Sequence, residues 1–233
     1  MKLAIIPARG GSKRIPKKNI RAFCGKAIIE YSISTAIRSG LFDRVVVSTD
    51  CEAIAQVASF AGAEVPFFRS SELSDDHTGV LPVIADTLRK LKINELHKSE
   101  FCCLYATAPF VRMSDLRAGL LYLQENSAAD YALAVTTFAF PFQRAVIQSE
   151  FLTPAFSQYI QQRSQDLQEG LHDAGQFFWG RSEALLKNKT LYQNNTLPVV
   201  LPRFLVQDID TLEDWKRAEL MYKVLQETGE LGE

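Results

Sequence analysis

The chain of 233 residues is long enough for one large α/β domain, and a second independent domain is not required. Hydrophobic residues make up 47% and charged residues 23%, as is ordinary for a soluble globular protein. The net charge of -1 excludes a general electrostatic attraction to nucleic acid or to an anionic membrane.

Short apolar runs alternate with helix-length amphipathic segments over the first 135 residues. The runs that predict strands are residues 3–6, 45–47, 65–68, 101–105 and 131–135. Apolar residues at three-to-four spacing predict helices over residues 28–39, 52–60, 80–91 and 116–124. This alternation implies right-handed βαβ crossovers, and so a three-layer αβα fold with a mostly parallel, Rossmann-like sheet. The loops that follow the strands should meet at the carboxyl edge of that sheet.

The pattern breaks after residue 136. Residues 138–171 contain Phe-Pro and Pro-Phe steps and a Gln-rich polar segment, so we expect an arm or small subdomain that leaves the sheet. Regular structure should resume at residues 176–179, and a last helix should begin near Thr211 as its N-cap. The apolar face of that helix would contain Trp215, Ala218, Leu220, Tyr222 and Leu225. Residues 1–233 then form a single domain with one appendage.

Positive charge is concentrated at the start of the chain. Residues 1–29 contain eight basic side chains and no acidic one, which leaves 18 basic and 27 acidic residues in the rest of the chain. A local concentration beside glycines suits a small polyanion better than a DNA duplex, which needs a long basic stripe. The sequence therefore predicts a site for a small anionic ligand and no nucleic-acid partner.

Signals for export, membrane insertion and disulfide formation are weak. The opening apolar segment, residues 2–7, is too short for a signal peptide, and no run reaches the length of a membrane span. Cys24, Cys51, Cys102 and Cys103 lack the CxxC spacing of metal and redox motifs. We expect a cytoplasmic protein with reduced cysteines and no membrane partner.

The main candidate for the anion site is the basic loop, defined as residues 9–19, which directly follows the first predicted strand. Gly10 and Gly11 allow backbone amides to approach an anion, the Ser12 hydroxyl can donate, and Arg and Lys side chains neutralise phosphate charge. The loop matches neither GxGxxG nor GxxxxGK[ST]. A solvated basic turn is the alternative, and the position after a strand favours a phosphate site.

Two carboxylates precede the last predicted helix. In an extended segment Asp208 and Asp210 point to the same side, where they can bind one hard cation together with phosphate oxygens and water. A helix-capping cluster is the alternative for this pair. Asp50, which follows the second strand in Ser48-Thr49-Asp50, is as readily explained by capping.

The basic loop, including its Lys18-Asn19 pair, resembles the signature of the CMP-sialic acid synthetase family of nucleotidyltransferases, and the resemblance extends over nearly the whole chain. It implies a fold of the nucleotide-diphospho-sugar transferase type and Mg²⁺ on Asp208 and Asp210. Arg9, Lys18 and Asp210 would carry the chemistry. The residues that the resemblance assigns to nucleotide binding are Ala8, Arg9, Gly10, Gly11, Ser12, Lys18, Asn19, Arg69 and Thr78.

Other segments bear on the sugar. Residues 75–79, Asp-Asp-His-Thr-Gly, resemble the branch of the family that acts on pseudaminic acid. In sialic-acid enzymes the segment that corresponds to residues 104–109 resembles Leu-Gln-Pro-Thr-Ser-Pro. Here Tyr105 and Ala108 replace the Gln and the Ser, and this departure favours a different sugar acid. The residues expected to contact the sugar are Tyr105, Thr107, Arg163, Gln176 and Phe178.

The resemblance implies a cytidylyltransferase that joins CTP to a nonulosonic acid, pseudaminic acid first, and releases pyrophosphate, for bacterial surface glycans or flagellin. The arm, residues 138–171, resembles the dimerisation region of the family, which implies a homodimer. One alternative is synthesis of CMP-N-acetylneuraminate or CMP-legionaminate on the same fold, against which Tyr105 and Ala108 count. Another is a catalytically silent nucleotide-binding regulator, against which the intact basic loop and the pair Asp208 and Asp210 count.

Overall fold

The computed structural model describes residues 1–94, 98–192 and 195–231. Its strands, in chain order, are β1 (Lys2–Pro7), β2 (Ala22–Phe23), β3 (Lys26–Ala27), β4 (Arg44–Ser48), β5 (Glu100–Leu104), β6 (Tyr131–Thr137), β7 (Val146–Gln148), β8 (Leu152–Pro154), β9 (Leu171–Arg181) and β10 (Thr196–Val200). Its helices are α1 (Ile28–Ser39), α2 (Glu52–Phe60), α3 (Val80–Lys90), α4 (Met113–Glu125), α5 (Ser182–Leu186) and α6 (Leu212–Glu227). Within these ranges no helix is both long and apolar enough to cross a membrane.

The central sheet has six strands in the order β10-β6-β9-β5-β1-β4. β1 pairs in parallel with β4 and β5, and β10 pairs in parallel with β6. β9 is antiparallel to both of its neighbours, β5 and β6. The sheet is therefore mostly parallel, as the alternation of strands and helices predicts, with one reversed strand inside it.

Helices cover both faces of the sheet. α1 and α4 pack on one face through side chains such as Ile33 and Leu120, and α2 joins them there. α3 and α5 pack on the other face through Leu88 and Leu185. α6 lies against a third cluster that includes Trp215 and side chains next to the basic loop. The three-layer αβα prediction is confirmed.

Adjacent cysteines show that both faces of β5 are buried. Cys102 belongs to the core under α1 and α4, and Cys103 belongs to the core under α3 and α5. Burial raises the pKa of both thiols. All four cysteines are free in the structure.

Two predicted strands differ from the structure. Residues 65–68 form no strand, and only single bridges, Val46 to Glu64 and Thr49 to Phe68, join this segment to β4. Pro66 lacks the N–H that a continuous ladder would need. β9 begins at residue 171, before the predicted 176, and includes the last residue of the predicted arm. The start of β9 contains the polar residues His172 and Asp173, so it has no apolar run that would predict a strand there.

The last helix begins as predicted, but one of its apolar residues is misassigned. Thr211 is the N-cap, and its Oγ1 accepts the Asp214 N–H at 3.2 Å while Asp214 Oδ2 accepts the Thr211 N–H at 2.8 Å. Trp215 and Leu225 are buried in the third core cluster. Leu220 is exposed, because it lies on the opposite side of α6 from these residues.

Residues 138–170, which include most of the predicted arm, lie outside the central sheet. β7 and β8 form a separate antiparallel hairpin within this segment. Large apolar side chains on the arm are exposed, among them Phe140 at 62%, Phe151 at 74% and Leu152 at 70%. The ring of Phe142 packs against Gly170, where a Cβ would lie 2.5 Å from that ring. The base of the arm is therefore closely packed while its hairpin faces solvent.

Candidate active site

The basic loop begins at the carboxyl end of β1 and is tied to the end of β4. Ala8 is buried, and its N–H donates to the Ser48 carbonyl at 2.9 Å. The Gly10 N–H donates to Asp50 Oδ1 at 2.8 Å. A Cβ at Gly10 would lie 2.9 Å from Cys51 Cβ, so this position requires glycine. The backbone N–H groups of Ala8 and Gly10 are thus engaged in hydrogen bonds within the protein in this conformation.

A short 3-10 turn, Lys18–Ile20, closes the loop. Asn19 is 7% exposed, and its Nδ2 donates to the Arg9 carbonyl at 2.9 Å, which joins the two ends of the loop. Gly11 is exposed, and no heavy atom of the described residues lies within 4 Å of where its Cβ would be. The Gly11 backbone therefore stays accessible to a ligand.

A cleft of about 260 Å³ opens at the carboxyl edge of the sheet, beside β1 and β5. It collects side chains from five separate segments of the chain, as expected for loops that follow parallel strands. The predicted site residues that line it are Arg9, Ser12, Lys18, Asn19, Arg69, Thr78, Tyr105, Thr107 and Asp210.

Carboxylates from two other segments hold the cations of the basic loop. Arg9 Nη1 donates to Asp76 Oδ1 at 2.6 Å, and Lys13 forms a second ion pair with Asp76. Lys13, and after it Arg9, hold the pKa of the Asp76 carboxyl below its usual range. Arg14 Nη2 lies 2.8 Å from Asp210 Oδ1. With Lys18, which also pairs with Asp210, four cations share two carboxylates, which leaves an excess of positive charge for an anionic ligand.

Lys18 connects the basic loop to the predicted cation site. Its Nζ donates to the Ile209 carbonyl at 2.7 Å and lies 3.4 Å from Asp210 Oδ1. These contacts join residues that are 191 and 192 positions apart in the chain. The two predicted halves of the site therefore lie side by side.

Arg69 is a buried cation in the wall of the cleft. Its side chain is 4% exposed, and its Nη2 lies 3.8 Å from Asp50 Oδ1. Burial lowers the pKa of the Arg69 guanidinium, and the nearby Asp50 charge opposes that shift. Nε and Nη2 have no hydrogen-bond partner among the described residues. Because buried donors are nearly always paired, these two groups indicate a place for an acceptor atom of a ligand.

Asp208 and Asp210 flank Ile209, which is fully buried beside Trp215. The pKa of the Asp208 carboxyl is raised by partial burial and then by the negative charge of Asp210. Helix capping falls to Thr211 and Asp214, so it does not account for these two carboxylates.

The pair fits a divalent cation by its chemistry. Two neighbouring carboxylates that repel each other provide the hard oxygen ligands that Mg²⁺ prefers. Over the described ranges, no group of three or more His, Cys, Asp or Glu is placed to hold a metal. A cation at Asp208 and Asp210 would therefore take its other ligands from phosphate and water.

A bulge in β9 forms the wall next to these carboxylates. Leu133 pairs with Phe178 and Val135 pairs with Asp173, so residues 174–177 face only one residue of β6. Gly175 lies in the bulge with a φ of 63°, and a Cβ there would lie 3.5 Å from the Asp208 Cγ. The bulge therefore brings the β9 backbone against the predicted cation site.

Gln176 supports the cleft from behind instead of facing it. It is 2% exposed, and its Nε2 donates to the Leu205 carbonyl at 2.5 Å. The backbone carbonyl of Gln176 accepts the Tyr105 N–H at 2.9 Å. Gln176 thus connects the end of β5 to the segment that leads to Asp208.

Besides Gln176, two further predicted sugar contacts lie outside the cleft. Phe178 is fully buried, with its ring 6.0 Å from Phe101 and 6.4 Å from Tyr131, because it lies on the face of β9 that α3 and α5 cover. The structure corrects this expectation, since Phe178 belongs to the core. Arg163 lies on the exposed arm and pairs with Asp166 at 2.7 Å. It does not line the cleft of its own chain.

Asp50 and Asp76 have contacts in the site that the sequence did not predict. Asp50 is not a helix cap, because α2 has Cys51 as its N-cap and Thr49 Oγ1 accepts the Cys51 N–H at 3.1 Å. The position of Asp50 at the end of β4, beside the end of β1, is the signal that could have placed it next to Gly10. Asp76 lies in a loop without regular structure, and no sequence pattern predicts its partner.

Comparison with known proteins identifies the family. The family model described as cytidylyltransferase matches residues 3–197. The chain belongs to the cytidylyltransferase family. It is 42% identical to the pseudaminic acid cytidylyltransferase of Campylobacter jejuni subsp. jejuni serotype O:2 over 229 residues, which cover 97% of this chain and 98% of the relative.

More distant relatives and solved structures agree with this assignment. The chain is 29% identical to the CMP-N,N'-diacetyllegionaminic acid synthase of Legionella pneumophila subsp. pneumophila over 97% of each protein. A structure of CMP:2-keto-3-deoxy-manno-octonic acid synthetase complexed with CTP matches with a TM-score of 0.70 at 17% identity, covering 95% of this chain and 98% of that one. At that identity the match shows the fold of this cytidylyltransferase and no more.

Proposed function

We propose that the chain transfers CMP from CTP to a nonulosonic acid, most directly pseudaminic acid, and releases pyrophosphate, in the synthesis of bacterial surface glycans or modified flagellin. The observation that carries the proposal is the meeting of the basic loop with Asp210 in one cleft, through Arg14 and Lys18. The 42% identity to a pseudaminic acid cytidylyltransferase over nearly full length supports the choice of sugar.

In this proposal the triphosphate lies along the basic loop. Arg9, Ser12 and Lys18 line the cleft and would contact phosphate oxygens in place of the carboxylates that now hold the cations. Asn19 and Arg69 would hold the nucleoside, since Arg69 lies in the wall of the cleft and two of its nitrogens have no hydrogen-bond partner among the described residues. Phosphate charge would be neutralised without a change of fold.

The reaction is an in-line displacement at the α-phosphorus. The anomeric hydroxyl of the sugar acid forms the new P–O bond, and the bond to the β-phosphate oxygen breaks. Arg9 and Lys18, which line the cleft, would stabilise the negative charge that develops on the departing pyrophosphate. A covalent enzyme intermediate is not needed for this exchange.

Asp208 and Asp210 would hold Mg²⁺ in this proposal. When bound, Mg²⁺ supplies Lewis-acid chemistry that neutralises phosphate charge and favours ionisation of the attacking hydroxyl. Asp210 now pairs with Arg14 and Lys18, and those cations would be free to turn toward the phosphates if a metal shared its charge. The two carboxylates and the basic loop then act as one clamp.

The proposal also includes a cytoplasmic homodimer joined through the arm. Exposed apolar side chains such as Ile147, Phe151 and Leu152 suit burial against a second copy. Arg163 would then act in the cleft of the partner, since it lies away from the cleft of its own chain. Four free cysteines are consistent with a reducing compartment.

The decisive experiment measures pyrophosphate release from CTP with Mg²⁺ and a panel of sugar acids. We expect turnover with pseudaminic acid, and much less with N-acetylneuraminic or legionaminic acid. A preference for one of these two acids would replace the sugar in the proposal. Binding of CTP without release of pyrophosphate for any acceptor would indicate a silent regulator instead.

A further inference from the structure

A second groove lies along the sheet beyond Tyr105. It encloses about 340 Å³ over β6, β9 and the start of β10. Its apolar walls include Val135, Leu171 and Pro198, and its polar wall includes Asp173 and Tyr192. This combination suits a small group that has both an apolar part and hydrogen-bonding atoms.

Tyr105 lies between this groove and the nucleotide cleft. It lines the cleft, and it packs against the core cluster that contains Val135 and Leu191 of the groove wall. Burial, with smaller contributions from Cys103, Asp173, Tyr192 and Asp208, raises the pKa of Tyr105, so its hydroxyl stays protonated. The groove and the cleft therefore adjoin each other.

The polar wall of the groove also reaches the predicted cation site. Tyr192 donates its hydroxyl to Asp173 Oδ2 at 3.2 Å, and Asp173 Oδ1 accepts the Gly175 N–H at 2.8 Å. A Cβ at Gly175 would lie 3.5 Å from the Asp208 Cγ. Two hydrogen bonds thus lead from the groove to Gly175, and the Gly175 backbone lies beside the carboxylate near which the attacking hydroxyl would lie.

The size of the acceptor determines which part of it can reach this groove. In the proposed function the triphosphate occupies the side of the cleft that contains Arg9 and Lys18, so a nine-carbon acid attacking near Asp208 would extend the other way. An acylamino group offers an N–H to a carboxylate, a carbonyl to a hydroxyl, and an alkyl group to an apolar wall. Asp173 and Val135 offer two of those partners, and Tyr192 would donate to the carbonyl in place of its present bond to Asp173 Oδ2.

We infer that the groove is the subsite for an acylamino group of the acceptor and that Tyr192 and Asp173 determine the preference for acylated over unacylated sugar acids. This inference rests on the proposed function. It assigns acceptor recognition to residues that play no part in holding CTP. Tyr192 is 76% exposed, so its hydroxyl is accessible to an incoming sugar.

Tyr192→Phe tests the inference, because it removes the hydroxyl and keeps the ring. Initial rates of pyrophosphate release are measured with the acceptor varied at saturating CTP, and then with CTP varied at saturating acceptor. We expect kcat/KM for a diacylated acceptor to fall about tenfold, as for the loss of one substrate hydrogen bond, with KM for CTP and the melting temperature unchanged. For an acceptor with a hydroxyl in place of the acylamino group, kcat/KM should not change.

Tyr122→Phe is the matched control, since Tyr122 is an exposed tyrosine on α4 and should leave every constant as in the wild type. An unchanged kcat/KM for the acylated acceptor in Tyr192→Phe, or an equal loss for both acceptors, overturns the inference. If the wild type fails to release pyrophosphate with every sugar acid tested, the proposed function is overturned, and the inference with it. The two failures are therefore distinguishable.

Discussion

Asp210 contacts cations of the basic loop and is also one of two carboxylates suited to a metal. Asp210→Asn keeps the size of the side chain and removes its charge. We expect turnover to fall on the order of a hundredfold or more, as for the loss of one strong electrostatic contact, with the fold intact. The measurement is kcat over a range of Mg²⁺ concentrations, together with the melting temperature.

Asp115→Asn is a control for this substitution, because Asp115 forms an ion pair with Arg112 at the start of α4, away from the cleft. It should keep wild-type turnover. If Asp210→Asn also turns over at the wild-type rate in saturating Mg²⁺, Asp210 has no part in the mechanism.

Asp50 holds two parts of the nucleotide cleft at once, the Gly10 amide at 2.8 Å and the Arg69 guanidinium at 3.8 Å. Asp50→Ala should raise KM for CTP about tenfold, because a hydrogen bond to a charged group contributes about 1.5–3 kcal/mol. Steady-state kinetics with CTP varied measure this effect.

Asp43→Ala is the matched control for Asp50→Ala. Asp43 Oδ2 accepts the Lys2 N–H at 2.7 Å at the opposite end of β1, so its loss removes a similar bond far from the cleft. Both variants should melt at lower temperature, and only Asp50→Ala should change KM. Equal KM values in the two variants would reduce Asp50 to a structural residue.

Single residues were predictable from the sequence where their partners are close in the chain. The basic loop is one segment, and Asp208 and Asp210 are two positions apart, so local patterns are sufficient to propose each of them as part of a site. Asp76 meets Arg9 across 67 positions, and no local pattern shows that contact. Phe178 lies in a strand buried on both faces, where alternation of apolar residues carries no information about which side faces a ligand.

At the scale of elements, the bulge in β9 is the part of the wall that depends most on backbone conformation. Gly175→Ala places a Cβ on a residue with a φ of 63°, which costs about 1–2 kcal/mol in the left-handed region. The new Cβ would lie at an ordinary contact distance from Asp208, so the backbone strain decides the outcome. We expect a lower melting temperature and a lower kcat/KM for both substrates.

Gly40→Ala is the control for that strain. Gly40 also has a φ of 63°, at the end of α1, with no heavy atom of the described residues within 4 Å of where its Cβ would be. It should lose similar stability and keep wild-type kinetics. A kinetic loss of the same size in both variants would show that the bulge has no specific role.

Elements with a clear period were predicted best. The bounds of α1 and α2 agree with the sequence prediction, because each has a continuous apolar stripe and a definite end, as at Gly40. β9 was found only in part, because His172, Asp173 and Gly175 interrupt its apolar pattern where it turns toward the cleft. Residues with functional or irregular geometry are therefore the ones that sequence periodicity misses.

At the scale of the whole molecule, the exposed apolar surface of the arm predicts self-association. Phe151→Asp places a charge on a side chain that is 74% exposed in the single chain. We expect the wild type to sediment as a dimer and the variant as a monomer, because burying an unpaired carboxylate in an interface is costly. Analytical ultracentrifugation at micromolar concentration makes the measurement.

Phe60→Asp is the control for the arm, because Phe60 is 93% exposed on α2. This variant should remain a dimer. A wild type that sediments as a monomer, or a dimer that survives Phe151→Asp, would contradict the proposed role of the arm.

The reversed strand β9 has a consequence for synthesis of the chain on the ribosome. β5 and β6 are both complete by residue 137, yet the strand that lies between them ends at residue 181. Until then their facing edges carry unpaired N–H and C=O groups, and the gap has the width of one strand. A nascent or truncated chain that stops within the arm therefore presents a slot in the middle of its sheet to any extended peptide, a hazard that ends only when the chain supplies its own strand.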